Sequence, residues 1–142
     1  QLYFLFSRAG QLSRDNWPAC GLAVSDYGFC QDALYARHSL AGEELAVYRR
    51  LADRVEGMIQ PPDLVVHLDA AEQALLERIV RRGRRFETVM TADFLRRMRR
   101  EYDRLVPALD CPVLTVDAGA RDLRRGDVLA EVVQDVRRRL NL

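Results

Sequence analysis

Apolar residues recur along this chain at two different spacings, and the points where the spacing changes mark its elements. Leu2 to Phe6 open the chain with an unbroken apolar run. The segment 1–11 reads as a helix or strand; the all-round apolar run favours a helix buried on most sides, and on a helix Gln1 and Arg8, seven apart, share one face. A turn follows at 13–18. The run GLAVS at 21–25 predicts a buried parallel strand whose carboxyl end delivers Asp26 into a cleft. A short helix is expected over 29–36. Over 43–59, Tyr48, Leu51, Ala52, Val55, Met58 and Ile59 fall at helical spacing, and Pro61-Pro62 stops the helix. LVVHL at 64–68 predicts a second strand, and Asp69 with Glu72 predicts a capping-box-like start for the helix after it. Thr91 is placed to cap a helix whose stripe is Phe94, Leu95, Met98, Tyr102 and Leu105. PVLTV at 112–116 predicts a third strand. A closing helix over 128–140 carries Val128, Leu129, Val132, Val133 and Val136. Strands separated by helices predict an α/β fold with three layers, α/β/α, around a parallel sheet.

Composition narrows the class. The 142 residues carry a net charge of +1, with 49% hydrophobic and 30% charged residues. That composition suits one globular domain and gives no global basic field for nucleic acid. No run approaches membrane-spanning length, and QLYFLF lacks the basic flank and cleavage site of a signal peptide, so a cytoplasmic protein is expected. All 22 basic residues are arginine. No lysine is therefore present to bind phosphate or act as a base. Cys20, Cys30 and Cys111 are widely spaced and odd in number, which predicts buried small apolar residues rather than a disulfide or metal set.

The densest chemistry lies at 77–87, ERIVRRGRRFE, where Arg78, Arg81, Arg82, Arg84 and Arg85 crowd around Gly83 and Glu87 closes the run. Arg78 and Arg82 share a helix face. Gly83 allows a bend that swings Arg84 towards whatever Arg82 faces. Planar guanidinium forks at such spacing bind phosphate oxygens bidentately. The same run also fits a solvated basic face or a patch for nucleic acid.

These features, taken in order, resemble the deoxynucleoside kinases, members of the P-loop kinase superfamily. Four stretches carry the resemblance: Gln1-Leu2-Tyr3 with Ser7-Arg8; Asp26 with Asp32 six residues on; PPDLVVHLDA leading to Arg78, Arg82, Gly83, Arg84 and Glu87, like the family's lid at about 77–90; and PVLTVD with Asp122. The resemblance spans nearly all 142 residues and corresponds to the carboxyl two-thirds of a family member. It implies ATP or another nucleoside triphosphate as donor, Mg²⁺, and a deoxyribonucleoside acceptor in nucleotide salvage. It gives Arg78, Arg82 and Arg84 the donor phosphates, Asp26 a place near metal and phosphates, and Gln1, Arg8 and Asp32 the base. It gives Glu87 the sugar 3′-hydroxyl and Asp122 the donor's adenine loop. Phe29 and Tyr35 are candidates to flank the base, while His38, His67, Trp17 and the Tyr48 stripe belong to packing. A homodimer is left open.

Two departures stand out. Tyr27-Gly28 occupies the place of the family's Arg-Ser, an SDY sequence that leans towards purines. The pattern GxxxxGK[ST] does not occur in these 142 residues. By resemblance the sheet has five strands in the order 2-3-1-4-5, with 21–25, 64–68 and 112–116 as strands 3, 4 and 5. These residues are accordingly expected to be incomplete at the N-terminus, and alone inactive and poorly folded. A thymidylate-type monophosphate kinase is the second reading, disfavoured because Asp26-Tyr27 lacks the arginine of an Asp-Arg-Tyr motif. A non-catalytic arginine-rich interaction module is the third.

Overall fold

The structure is a computed structural model that describes residues 1–84 and 90–142. It divides into two compact units, Gln1–Pro61 and Pro62–Leu142.

The first unit contains α1 (Leu2–Leu12), α2 (Asp32–Ser39) and α3 (Gly42–Glu56), with short 3₁₀ turns at Arg14–Asn16 and Phe29–Gln31. Its core gathers Leu5, Ala36 and Tyr48, against which Phe29, Leu40, Leu45, Leu51 and Ala52 pack. The expectation that α1 is buried on most sides needs correcting. Leu5 and Leu12, seven apart and on one face, are buried, whereas Tyr3 is 79% exposed and Phe4 and Phe6 also face outwards. Helix α3 buries Tyr48 and Val55 as its spacing predicts but ends at Glu56. Beyond that end Ile59 turns inward through an antiparallel bridge with Ser13, and Met58 is left exposed.

The strand expected at 21–25 does not form; the segment is extended loop with Val24 87% exposed. A strand exists through its ladder, and no described segment lies alongside 21–25 to supply one. The cysteines also differ from expectation. Cys20 is exposed, Cys30 and Cys111 are half-buried, and none of the three is in a disulfide. They lie in loops or a short 3₁₀ turn rather than among the buried residues of either core. Burial and the nearby Asp110 and Asp63 carboxylates raise the Cys111 thiol pKa.

The second unit is built on two parallel strands, β1 (Val65–Asp69) and β2 (Val113–Asp117), paired from Val65↔Val113 to Asp69↔Asp117. Their adjacency matches the places expected for strands 4 and 5. Helices α4 (Glu72–Arg82), α5 (Ala92–Leu105) and α6 (Gly126–Leu140) complete it. Paired residues of a parallel ladder share a face, and the two faces meet different helices. On one, Leu114 and Val116 pack against Val132 of α6, with Leu64, Leu123 and Val136 around them. On the other, the His67 ring stacks on Tyr102 of α5 at 5.7 Å between centroids, and Asp69 accepts from Arg99 at 2.9 Å. A sheet with helices on both faces is the three-layer arrangement the pattern predicts.

Helix ends show which local signals operate. Thr91 caps α5 as expected, its hydroxyl accepting from the Phe94 N–H at 3.2 Å. The capping box at Asp69 and Glu72 does not form, because Asp69 is still in β1 and its carboxylate is held by Arg99. Gly83 closes α4 at φ +62°, its N–H returning to the Ile79 carbonyl at 3.1 Å. That left-handed conformation suits glycine at a helix end. No described helix is long and apolar enough to cross a membrane.

Candidate functional site

In the first unit three sequence-predicted residues converge. Gln1 is the N-cap of α1 and Arg8 lies about two turns along it, and Asp32 is the first residue of α2. Asp32 is 1% exposed, a burial that costs a carboxylate its hydration unless donors replace the water. Three donors do so. Arg8 Nη1 donates to Oδ1 at 2.5 Å, the Tyr27 hydroxyl donates to the same oxygen at 3.0 Å, and the Tyr48 hydroxyl donates to Oδ2 at 2.8 Å. Arg8 Nη1 also donates to the Tyr27 hydroxyl at 2.9 Å. The guanidinium carbon stands 3.9 Å from the Tyr27 ring centroid and 5.3 Å from that of Phe4, cation–π range for both.

The electrostatics follow from this packing. Burial pushes the Tyr27 pKa upwards, and the Asp32 charge adds to the rise while Arg8 opposes it. Tyr48 is raised by burial, then by its hydrogen bond to Asp32 and that residue's charge. Both phenols therefore stay protonated donors. Burial works against the Arg8 charge, but its hydrogen bond to Asp32 together with the neighbouring charges outweighs it, and its pKa is raised. A cavity of about 200 Å³ opens beside this cluster, lined by Gln1, Phe4, Arg8, Tyr27, Gln31 and Tyr35. Ligand pockets for a whole drug-sized molecule run roughly 300–1,000 Å³, so this one suits a single ring system with an edge to be read. Gln1 donates through Nε2 to the Ser39 hydroxyl at 3.0 Å, which ties its amide to the end of α2.

In the second unit the chemistry gathers where both strands end, the edge at which parallel α/β folds place ligands. Helix α4 leaves that edge after β1, and Arg78 on it donates through Nη2 to the Ala118 carbonyl at 2.5 Å, just past β2. The same loop is turned by Asp117, whose Oδ1 accepts from the N–H groups of Gly119 and Ala120, each at 2.9 Å. Asp122, four residues past Ala118, is gripped by Arg124 through Nε at 2.8 Å and Nη2 at 2.9 Å. That side-chain bond, helped by the Arg124 N–H, holds its carboxyl down to about 2. Arg82 and Arg84 are exposed, on the last turn of α4 and just past Gly83. Arg81 is exposed too.

Other expected positions are less gathered. Asp26 is exposed on the loop before Tyr27, and among the described residues no group of three or more His, Cys, Asp and Glu collects around it or elsewhere. Mg²⁺ commonly takes one or two carboxylates and fills its remaining positions with water and substrate phosphate, so a single exposed aspartate suits that mode. Tyr35 reaches the cavity, while Phe29 packs into the core. Arg85 and Glu87 lie outside the described residues. Sequence reasoning missed two residues. The apolar stripe of α3 places Tyr48 in the packing, yet its hydroxyl is one of the Asp32 donors. Tyr27 has no role in the sequence pattern, where only its spacing of five residues from Asp32 is visible and not the burial that makes that spacing matter.

Comparison with known proteins bears on this arrangement. The sequence is 26% identical over 130 residues to a deoxyguanosine kinase of Bacillus subtilis (strain 168), an alignment covering 86% of this chain and 63% of that protein. It is 29% identical over 107 residues to a deoxyadenosine kinase of Dictyostelium discoideum, covering 72% and 43%. A deoxyguanosine kinase of Lactobacillus acidophilus is 26% identical over 154 aligned positions, covering 95% and 65%. The chain thus spans less than two thirds of the length of these relatives. The sequence model of the deoxynucleoside kinase family matches residues 22–140, and the chain belongs to that family.

Proposed function

We propose that this protein moves the γ-phosphoryl group of a nucleoside triphosphate such as ATP to the 5′-hydroxyl of a deoxyribonucleoside, in nucleotide salvage, with a purine as the favoured base. The observation that carries the reading is the Arg8–Asp32 pair, buried at one end and open at the other onto a cavity that Gln1 also lines. A planar base offers adjacent donors and acceptors on its edges, and a fixed guanidinium and amide can read them. Polar groups already committed to one pattern are left unsatisfied by another, which is how such a site discriminates. The purine preference is supported by the names of the relatives, deoxyguanosine and deoxyadenosine kinases.

Arg78, Arg82 and Arg84 are assigned to the donor phosphates, where positive charge offsets what develops on the migrating group. Support for this comes from α4, which leaves the strand edge with Arg78 tied to the loop after β2. Asp122 on that loop is assigned to the donor's adenine end, Asp26 to the metal, and Glu87 to the sugar 3′-hydroxyl. Mg²⁺, when bound, neutralises donor phosphate charge. Phosphoryl transfer needs little covalent help from a protein, so positioning by arginines accounts for most of the visible site.

The test is full-length protein with ATP, Mg²⁺ and each of the four common deoxynucleosides in turn, read by formation of the 5′-monophosphate. Turnover of deoxyguanosine or deoxyadenosine, with a KM raised at least tenfold by Arg8→Ala, is expected. Absence of any monophosphate, or phosphorylation of thymidylate in its place, would refute the reading.

A further inference from the structure

Tyr27 occupies a position where the family pattern has an arginine, and it does something an arginine there could not do. Its ring lies under the Arg8 guanidinium, and its hydroxyl accepts from Arg8 Nη1 while donating to Asp32 Oδ1. It also forms part of the wall of the Gln1–Arg8 cavity. The backbone of Tyr27 is fixed in turn by Ser25. The Ser25 hydroxyl accepts from the Tyr27 N–H at 3.2 Å and donates to the Tyr27 carbonyl at 2.8 Å. One hydroxyl thus closes a two-residue turn on both backbone groups of a single residue. Side-chain hydroxyls of serine are suited to such local turns.

The consequence falls on Arg8. Guanidinium has five N–H donors in a rigid plane. The two on Nη1 are taken by Tyr27 and Asp32, and the ring below fixes the tilt of the plane. The three on Nε and Nη2 have no protein acceptor among the described residues, and Arg8 borders the cavity. Both Asp32 oxygens are occupied by protein donors, so Asp32 serves here to hold Arg8 and the two phenols.

We propose that Tyr27, clamped by Ser25, is a positioning residue that sets the angle at which Arg8 presents its remaining N–H groups to the base, and through it the ranking of bases. This rests on the deoxynucleoside kinase reading above. Removing the phenol oxygen leaves the ring in place but frees the guanidinium to pivot about its single bond to Asp32. A pivoting fork discriminates less between an edge with two adjacent acceptors and one pairing an acceptor with a donor. The 5′-hydroxyl end of the deoxynucleoside, where the phosphoryl group is received, is untouched, so the loss belongs in KM and in base ranking, not in kcat.

The experiment compares full-length wild type with Tyr27→Phe, Ser25→Ala and Ser25→Thr, measuring kcat and KM for deoxyguanosine and deoxyadenosine and the Tm of each variant. Tyr27→Phe is expected to raise KM for the preferred base about fivefold or more, with kcat within twofold and the ratio of kcat/KM between the two bases moved towards one. Ser25→Ala should shift the ratio in the same direction by less, and Ser25→Thr, which keeps the hydroxyl, should restore it. An unchanged ratio in Tyr27→Phe overturns the proposal. So does an equal fall in kcat/KM for both bases accompanied by a lowered Tm, because that is what a merely structural residue gives. A wild type active on neither base refutes the kinase reading and removes the ground of this inference with it.

Discussion

Replacing Asp32 by alanine is the perturbation whose cost can be worked most directly from the structure. Three hydroxyl or guanidinium donors lose their acceptor at once. They do not lose it equally. Tyr48 is 1% exposed, so its hydroxyl has no water to turn to, and an unsatisfied buried donor costs about 1–3 kcal/mol. The Tyr27 phenol is half-buried and the Arg8 side chain keeps 27% of its exposure, so both recover part of their hydration. Each then costs no more than roughly 1 kcal/mol, well short of the 3–5 kcal/mol seen when a fully buried pair is broken. Losing a carboxylate at the first residue of α2 adds about 0.3–1 kcal/mol through the helix dipole. The expected loss is about 1–6 kcal/mol, and Asp32→Asn, which keeps one acceptor oxygen, should lie between alanine and wild type. Urea unfolding of full-length protein, with the midpoint moving and the m-value constant, measures it. A loss below about 0.5 kcal/mol, the range of an ordinary surface substitution, would show that the buried network does not hold this unit together.

Three further outcomes follow from the same structure. Arg82→Ala or Arg84→Ala in full-length protein should lower kcat at least tenfold, about 1.4 kcal/mol of barrier, while Arg81→Ala does little; equal small effects at all three would point to a solvated face. Gly83→Ala should destabilise by roughly 1 kcal/mol although open space surrounds the position, because φ +62° is unfavourable for any residue with a Cβ; a neutral result in thermal unfolding would mean that α4 does not end in this conformation. The folded-state pKa values of Tyr27 and Tyr48 are raised, so their contribution to stability is fully present below the unfolded phenol value of about 10 and is lost as pH rises above it. A stability profile that declines above about pH 10, and flattens in Tyr27→Phe and Tyr48→Phe, is expected; identical alkaline slopes in all three proteins would contradict it.

How much of this could be read from the residues alone depended on whether the signal was local. Thr91 as a cap, Gly83 as a break and the two runs Val65–Asp69 and Val113–Asp117 as strands are each encoded within a few residues of where they act, whereas the pairing of those strands, 48 residues apart, comes from the strand order that the resemblance implies. The pairing of Arg8 with Asp32 was expected only as a shared role at the base, because 24 residues separate them and no periodicity links two different helices. Segment 21–25 failed as a strand for a related reason: its sequence is strand-like, but a ladder needs a neighbour. Tyr48 shows the limit of stripe reasoning. Helical spacing correctly placed its ring in the core, yet spacing says nothing about where a hydroxyl at the ring's far end will find an acceptor. The capping box at Asp69 was a true pattern outcompeted by Arg99, a partner thirty residues away.

The claim on which the account depends is that Gln1, Arg8 and the wall around them hold a nucleobase. A crystal structure of full-length protein with its best deoxynucleoside tests this most directly. The base is expected in the cavity bordered by Gln1, Phe4, Arg8, Tyr27, Gln31 and Tyr35, with Arg8 Nε or Nη2 within about 3 Å of a base acceptor and Nη1 still on Asp32. A base bound elsewhere, with Arg8 making no contact to it, would contradict the central claim.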